Sequence, residues 1–230
     1  MRGRMVAQRS TEFIKKYGLR GTLPRFAVEL RSIIDFYFPR TVWGERVDLR
    51  PVTKKLTTKE VEQVYRWSND VEVLQLSGAE PTEMTFNDFM EQLARKHGRS
   101  QKNERVFYIV TQEGNLIGRI GLFTIDWPRR EGEVGIVIGK EYWGKRYGSD
   151  AMMLLLCYVF SDLPLDRVYA GTYSDNIRAQ RLFTGIGFRI IGPARRYVAS
   201  SDSYVEDGVG MEITRKEFIC NTSWEYRNSE

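Results

Sequence analysis

Apolar positions along the 230-residue chain change their period several times, and each change marks a predicted element. Residues 9 to 17 and 24 to 37 repeat at helical spacing, the second with Pro24 near its start and Phe26, Leu30, Ile33, Ile34 and Tyr37 as its apolar set. After "PRTVWGE" the texture shifts. "RVDLRPV" alternates as a strand does, and "TTKEVEQVYRWSND" carries a Thr cap signal followed by apolar Val61, Val64 and Trp67. A further helix is predicted over 85 to 97, capped by Thr85, with Phe86, Phe89, Met90 and Leu93 as its stripe.

Period two then takes over. "RVFYIVTQ", "LIGRIGLFTIDW" and "VGIVIG" are joined by the turn sequences "EGN" and "PRREGE". Links so short cannot make the crossover that parallel strands need, so the three predict an antiparallel meander. There follow an apolar helix (148 to 160), a strand "DRVYAGTY", a helix "NIRAQRLFTGIG" and two strands near 188 to 199 and 205 to 215. That order predicts an α/β (α+β) protein with a mixed sheet. It divides most simply into a helical extension (1–42), one catalytic-sized domain (43–218) and a short tail (219–230).

Composition narrows the class. With 42% hydrophobic and 28% charged residues the chain reads as an ordinary soluble globular protein. Its longest apolar run, Ala151 to Phe160, is about half of the roughly 20 residues a membrane-spanning helix requires. The opening sequence has no secretory pattern, so a cytoplasmic location is expected. Cys157 and Cys220 have no C-x-x-C spacing and the single histidine is His97, which argues against zinc and against a Ser-His or Cys-His nucleophile pair. The net charge of +5 is uneven: residues 1 to 44 carry nine Lys or Arg against three Asp or Glu. That basic arm reads either as a solvated face of packing helices or as a contact to RNA, the ribosome or an acidic membrane surface.

The segment "IVIGKEYWGKRYGSD" carries the most specific chemistry. Gly139 to Lys145 spells G-x-x-x-x-G-K, seven of the eight positions of a triphosphate loop, but the eighth is Arg146, which offers no hydroxyl to Mg²⁺. Glu141, Tyr142 and Trp143 also place bulk or negative charge where the backbone would have to approach a polyanion. What remains suits a diphosphate without a metal: Lys145 and Arg146, then Gly148 and Ser149 at the entry to an apolar helix. A plain strand-to-helix connection with capping residues would read the same way.

In "WGKRYG", Trp143 to Gly148, the frame is similar to the Q/R-x-x-G-x-G/A acetyl-CoA motif of the GNAT N-acetyltransferase superfamily, with Trp143 for Gln or Arg and Arg146 for the middle Gly. "EVGIVIGKEYWGK", "DNIRAQRLFTGIGF" and "SYVEDGVGMEITRKEF" resemble, in the expected order, further runs of its ribosomal-protein-alanine and spermidine N-acetyltransferase-like branch. The resemblance spans about Arg46 to Phe218. It implies a GNAT fold: a mostly antiparallel sheet of about seven strands, splayed between the fourth and fifth and flanked by helices. It implies acetyl-CoA as co-substrate and an amine acceptor, either a protein N-terminus or a small amine such as a polyamine or aminoglycoside.

Carried over by position, Ile136 and Ile138 would offer strand backbone to the pantetheine arm, and the amides of Lys145, Arg146, Tyr147, Gly148 and Ser149 would cradle the diphosphate. Asn176 is either a helix N-cap or a contact to that arm. Glu133 is the candidate base, the alternative being a surface carboxylate at a strand end. The Tyr that many relatives place near the departing thiolate falls on Phe183, and the Ser that others use falls on Ala179. Together with Arg146, those two substitutions leave a non-catalytic acyl-CoA-binding or regulatory module as a competing reading. The acceptor would lie near 68–83 and 200–208, loop-like segments carrying Asp70, Glu72, Glu80, Glu83, Asp202, Glu206 and Asp207. The basic arm also allows a homodimer contact.

Overall fold

The alternation of "VDLRP" forms strand β1 (Val47–Pro51), whose side chains are buried at Val47, Leu49 and Pro51 and half-buried between. The computed structural model of the protein describes residues 40–77, 79, 81–96, 102–198 and 203–218. The helices expected over 9–17 and 24–37, His97, Cys220 and the 219–230 tail lie outside them.

Helix α1 (Thr58–Trp67) begins at Thr57, whose side chain accepts from the Glu60 amide while Glu60 bonds back to the Thr57 amide, a complete capping box. Helix α2 (Val71–Ser77) follows after three residues. It lies inside the segment expected to be a loop. Asp70 accounts for the difference: its carboxylate accepts from the amides of Glu72 and Val73 at 3.0 and 3.2 Å, and Val73 and Leu74 bury the inner side of the short helix that results. Helix α3 (Phe86–Lys96) packs on α1 through edge-on contacts of Tyr65 with Phe86 and Phe89.

The meander is β2 (Arg105–Thr111), β3 (Leu116–Asp126) and β4 (Glu131–Ile138), antiparallel throughout. A 3₁₀ turn over Lys140–Tyr142 leads to helix α4 (Tyr147–Asp162), then β5 (Arg167–Tyr173), α5 (Ile177–Ile186), β6 (Arg189–Val198) and β7 (Ser203–Thr214). The last two strands pair as a hairpin, so residues 203–208, expected in an acceptor loop, belong to β7. The seven strands run β1-β2-β3-β4-β5-β7-β6 in one sheet, antiparallel except for β4 and β5.

Helix α4 is the keystone of the core. Met152, Leu155, Val159 and Phe160 are fully buried, and the helix packs on β1, β3, β4 and α5. Each such side chain stabilises the fold by roughly 1.5–3 kcal/mol. At its end Arg215 donates to the carbonyls of Phe160, Leu163 and Leu165, meeting acceptors that helix geometry leaves unpaired and fixing where β5 starts. No helix among the described residues is long and apolar enough to cross a membrane.

On the opposite side, α1 and α2 are tied to the turn after β4. Trp67 donates its indole N–H to Glu141 at 3.2 Å, Gln63 donates to the Tyr142 hydroxyl, and Lys140 pairs with Glu72. The indole lies directly over Gly139, where a Cβ would collide with the ring. Gly139 has an ordinary φ of −56°, so its requirement is for space alone. Gly139→Ala should therefore lower stability by about 1–3 kcal/mol through displacement of Trp67. A melting temperature unchanged from wild type would show that the indole does not depend on that glycine.

Candidate active site

Strands β4 and β5 pair only from Glu131 and Arg167 to Val134 and Ala170. Beyond that point β4 continues to Ile138 and β5 to Tyr173 without a partner between them. The result is an open wedge, as the family resemblance implies. A cavity of about 450 Å³ occupies it, walled by Glu133, Gly135 and Ile136 on one side and by Gly171, Tyr173 and Asn176 on the other. Phe183 and Ala179 of α5 line it as well.

Backbone parity decides which groups face the opening. The Gly139 amide donates to Ile117 of β3, so odd-numbered residues of β4 direct their amides and carbonyls toward β3. Ile136 and Ile138 thus present theirs to the wedge. The Ile138 carbonyl already accepts the Trp143 indole N–H at 2.7 Å, which leaves Ile136 as the freer of the two. Trp143 in turn supports the Arg178 guanidinium, stacked 3.9 Å from the ring centroid. This is what tryptophan contributes at the motif's first position: it closes the end of β4.

The turn itself has two residues in the left-handed region, Gly144 at φ 75° and Arg146 at φ 65°. Arg146 therefore adopts the conformation a glycine would, and its carbonyl accepts from the amides of Ser149 and Asp150 to start α4. The Ser149 amide is itself engaged within the helix start, bonded to the Arg146 carbonyl at 3.1 Å. The amides of Lys145, Arg146, Tyr147 and Gly148 have no acceptor among the described residues and are the remaining donors. Arg46 braces the turn by donating to the Lys145 carbonyl at 3.0 Å and to Asp150 at 2.6 Å, while stacking over Tyr147. No sequence signal marks that contact across 99 residues. Free amides, a helix start, Lys145 and Arg146 together suit a diphosphate. The open wedge beside β4, lined by both polar and apolar residues, suits a flexible arm.

Glu133 lies at the other end of the wedge. Its residue is exposed, yet partial desolvation by the strand walls raises its carboxyl above the ordinary carboxylate range. Gly171, across the wedge, leaves room beside Oε1, where a Cβ would stand 3.6 Å away. Phe183 is buried and packs edge-on to Phe188, and no hydroxyl stands at its position or at Ala179. Leu76 and Ser77 fall in the 68–83 segment expected beside the acceptor, whereas sequence reading missed Arg119 and Tyr173 as cavity residues. The carboxylates expected to attract an acceptor are partly engaged elsewhere, Asp70 as a cap and Glu72 with Lys140.

No cluster of His, Cys, Asp or Glu among the described residues could hold a metal ion. A sheet opened between parallel strands, above a turn and helix start fit for a diphosphate, defines the class of acetyl-CoA-dependent N-acetyltransferases. A family model described as "Acetyltransferase (GNAT) domain" matches residues 46–189, more than half of the chain, and the protein belongs to that family.

Relatives agree. The chain is 27% identical over 174 residues to the spermidine N(1)-acetyltransferase of Escherichia coli K12, covering 76% of this chain and 89% of that one. It is 27% identical over 158 residues to the N-acetyltransferase p20 of Bacillus licheniformis, covering 68% and 86%. Among solved structures, Vibrio cholerae spermidine N-acetyltransferase in complex with CoA and spermine superposes with a TM-score of 0.62 at 24% identity, over 76% of this chain and 98% of that one. That likeness concerns the fold.

Two expectations follow. Arg146 already makes the left-handed turn, at a cost of about 1–2 kcal/mol that glycine avoids, partly offset by glycine's extra chain entropy. Arg146→Gly should raise the melting temperature and weaken acetyl-CoA binding by up to roughly fivefold through the lost charge. Tighter binding would show instead that the side chain obstructs the diphosphate. For Glu133, a raised folded-state pKa means that ionisation costs stability once pH exceeds the unfolded value of about 4.3. Glu133→Gln should therefore be the more stable protein at pH 7, the difference vanishing in thermal melts as pH falls below that value.

Proposed function

We propose that the wedge transfers the acetyl group of acetyl-CoA to a small primary amine, with polyamines the first candidates, and that Glu133 is the base. The observation that carries this is the Glu133 carboxyl, held in the wedge with its pKa raised. Acetyl-CoA supplies an acyl group already activated as a thioester. An aliphatic amine is protonated at neutral pH and not nucleophilic, so its proton must be removed first. Glu133 takes that proton, directly or through one water. The amine nitrogen then forms the C–N bond, the C–S bond breaks, and the electron pair leaves on sulfur.

The departing thiolate needs little help, since a thiol has a pKa of about 8.5. Phe183 and Ala179 in place of the relatives' donors are compatible with that. Arm binding falls to the Ile136 and Ile138 backbone, and diphosphate binding to the amides of Lys145 to Gly148 with the Lys145 and Arg146 charges. In this reading 43–218 is the catalytic domain and 1–42 an appended extension. Polyamines come first because the Escherichia coli and Vibrio cholerae relatives are named for spermidine.

The test is free-thiol release from acetyl-CoA with spermine, spermidine, aminoglycosides and N-terminal peptides. Turnover with a polyamine is expected, with kcat/KM rising with pH through the Glu133 titration. Glu133→Gln should lower kcat/KM on the order of 10²-fold and remove that limb. Thermal stabilisation by acetyl-CoA without thiol release for any amine would instead indicate an acyl-CoA-binding module. An unchanged profile in the variant would remove Glu133 from the role.

A further inference from the structure

Asn176 was expected either to cap a helix or to touch the cofactor arm, and its carboxamide does something more. Its Oδ1 accepts from the Ala179 amide at 3.1 Å, capping α5. Its Nδ2 donates to the Leu76 carbonyl at 3.2 Å, a hundred residues away in sequence. Leu76 is in the last turn of α2, where a carbonyl has no partner within the helix. The side chain is therefore an N-cap for one helix and a C-cap for another.

The two helices belong to opposite sides of the wedge. Helix α2 packs on β4 and is held there by the Lys140–Glu72 ion pair, whereas α5 packs on β5 and α4. Leu76, Ser77 and Asn176 all line the cavity. A hydrogen bond between buried Asn176 and Leu76 thus joins the β5 side to the β4 side where the sheet itself supplies no bond.

We infer that Asn176 is a positioning residue that latches the end of α2 across the open wedge and so sets the acceptor side of the cavity. This rests on the acetyl-transfer reading above. The bond fixes where α2 stops and hence where Leu76 and Ser77 stand in the cavity wall. A fixed wall of the cavity, rather than a contact to the reacting atoms, is what the carboxamide contributes.

The two halves of the carboxamide can be separated chemically. Asn176→Asp keeps an oxygen for the Ala179 amide but, ionised, has no hydrogen for Leu76; Asn176→Ser caps α5 and is too short to reach α2. Steady-state rates with spermine and acetyl-CoA, acetyl-CoA affinity by calorimetry, and hydrogen exchange of the α2 amides would be measured on both. The expected result is an acceptor KM raised fivefold or more, an acetyl-CoA dissociation constant changed less than twofold, and faster exchange over 73–77. A weakening of acetyl-CoA equal to the rise in acceptor KM would make Asn176 a cofactor ligand and overturn the latch. Unchanged exchange over 73–77 would overturn it too. If the wild-type protein turns over no amine, that failure belongs to the acceptor reading, and the exchange comparison still decides the latch. Should the aspartate variant fail to fold, the serine variant carries the same measurements.

Discussion

The site depends on one interruption of hydrogen bonding: the parallel ladder between β4 and β5 stops at Val134 and Ala170. A parallel pair requires a long crossover, here the 3₁₀ turn and α4, and the crossover helix must start beside the end of β4. Ending the ladder early leaves Gly135–Ile138 with an unpaired edge next to that helix start. The unpaired strand edge thus leads from the cavity between β4 and β5 toward the helix start.

An interrupted ladder is costly unless something holds the strands apart and covers the exposed groups. Phe183 fills the floor from α5, buried against Phe188. Trp143 satisfies the Ile138 carbonyl at the far end. Across the mouth, Asn176 reaches Leu76. These contacts divide the work of keeping the wedge open among residues whose individual sequence signals are weak.

Much of the sheet was legible because the meander is local: turns of a few residues between alternating runs leave no topology but antiparallel. The α4 crossover was legible from its unbroken apolar run. The motif around Trp143 to Gly148 was legible as a candidate phosphate turn, although its residues act differently from those of a triphosphate loop. Gly139 makes room for Trp67, Gly144 supplies a left-handed turn, and Arg146 supplies another against its own steric preference. What escaped the sequence is what distant residues decide. Helix α2 is short, and its cap at Asp70, its ion pair to Lys140 and its terminus at Asn176 connect positions up to a hundred residues apart. Arg46 beneath the turn is of the same kind.

Acetyl transfer as proposed would set unequal chemical problems at the two ends of the cavity. Removing a proton from an aliphatic ammonium is the harder step at neutral pH, because its pKa lies near that of lysine, about 10.4. A carboxylate with an ordinary pKa would be a poor match; in the proposed role as base, Glu133 gains from the partial desolvation that raises its pKa at a cost in stability. Releasing a thiolate is easier by about two units of pKa. The wall on the α5 side can therefore be given over to packing, with Phe183 and Ala179 where a hydroxyl might have stood. The absence of a donor at those two positions and the raised pKa of Glu133 are consistent with one asymmetry, in which the protein assists the nucleophile and leaves the leaving group to its own acidity.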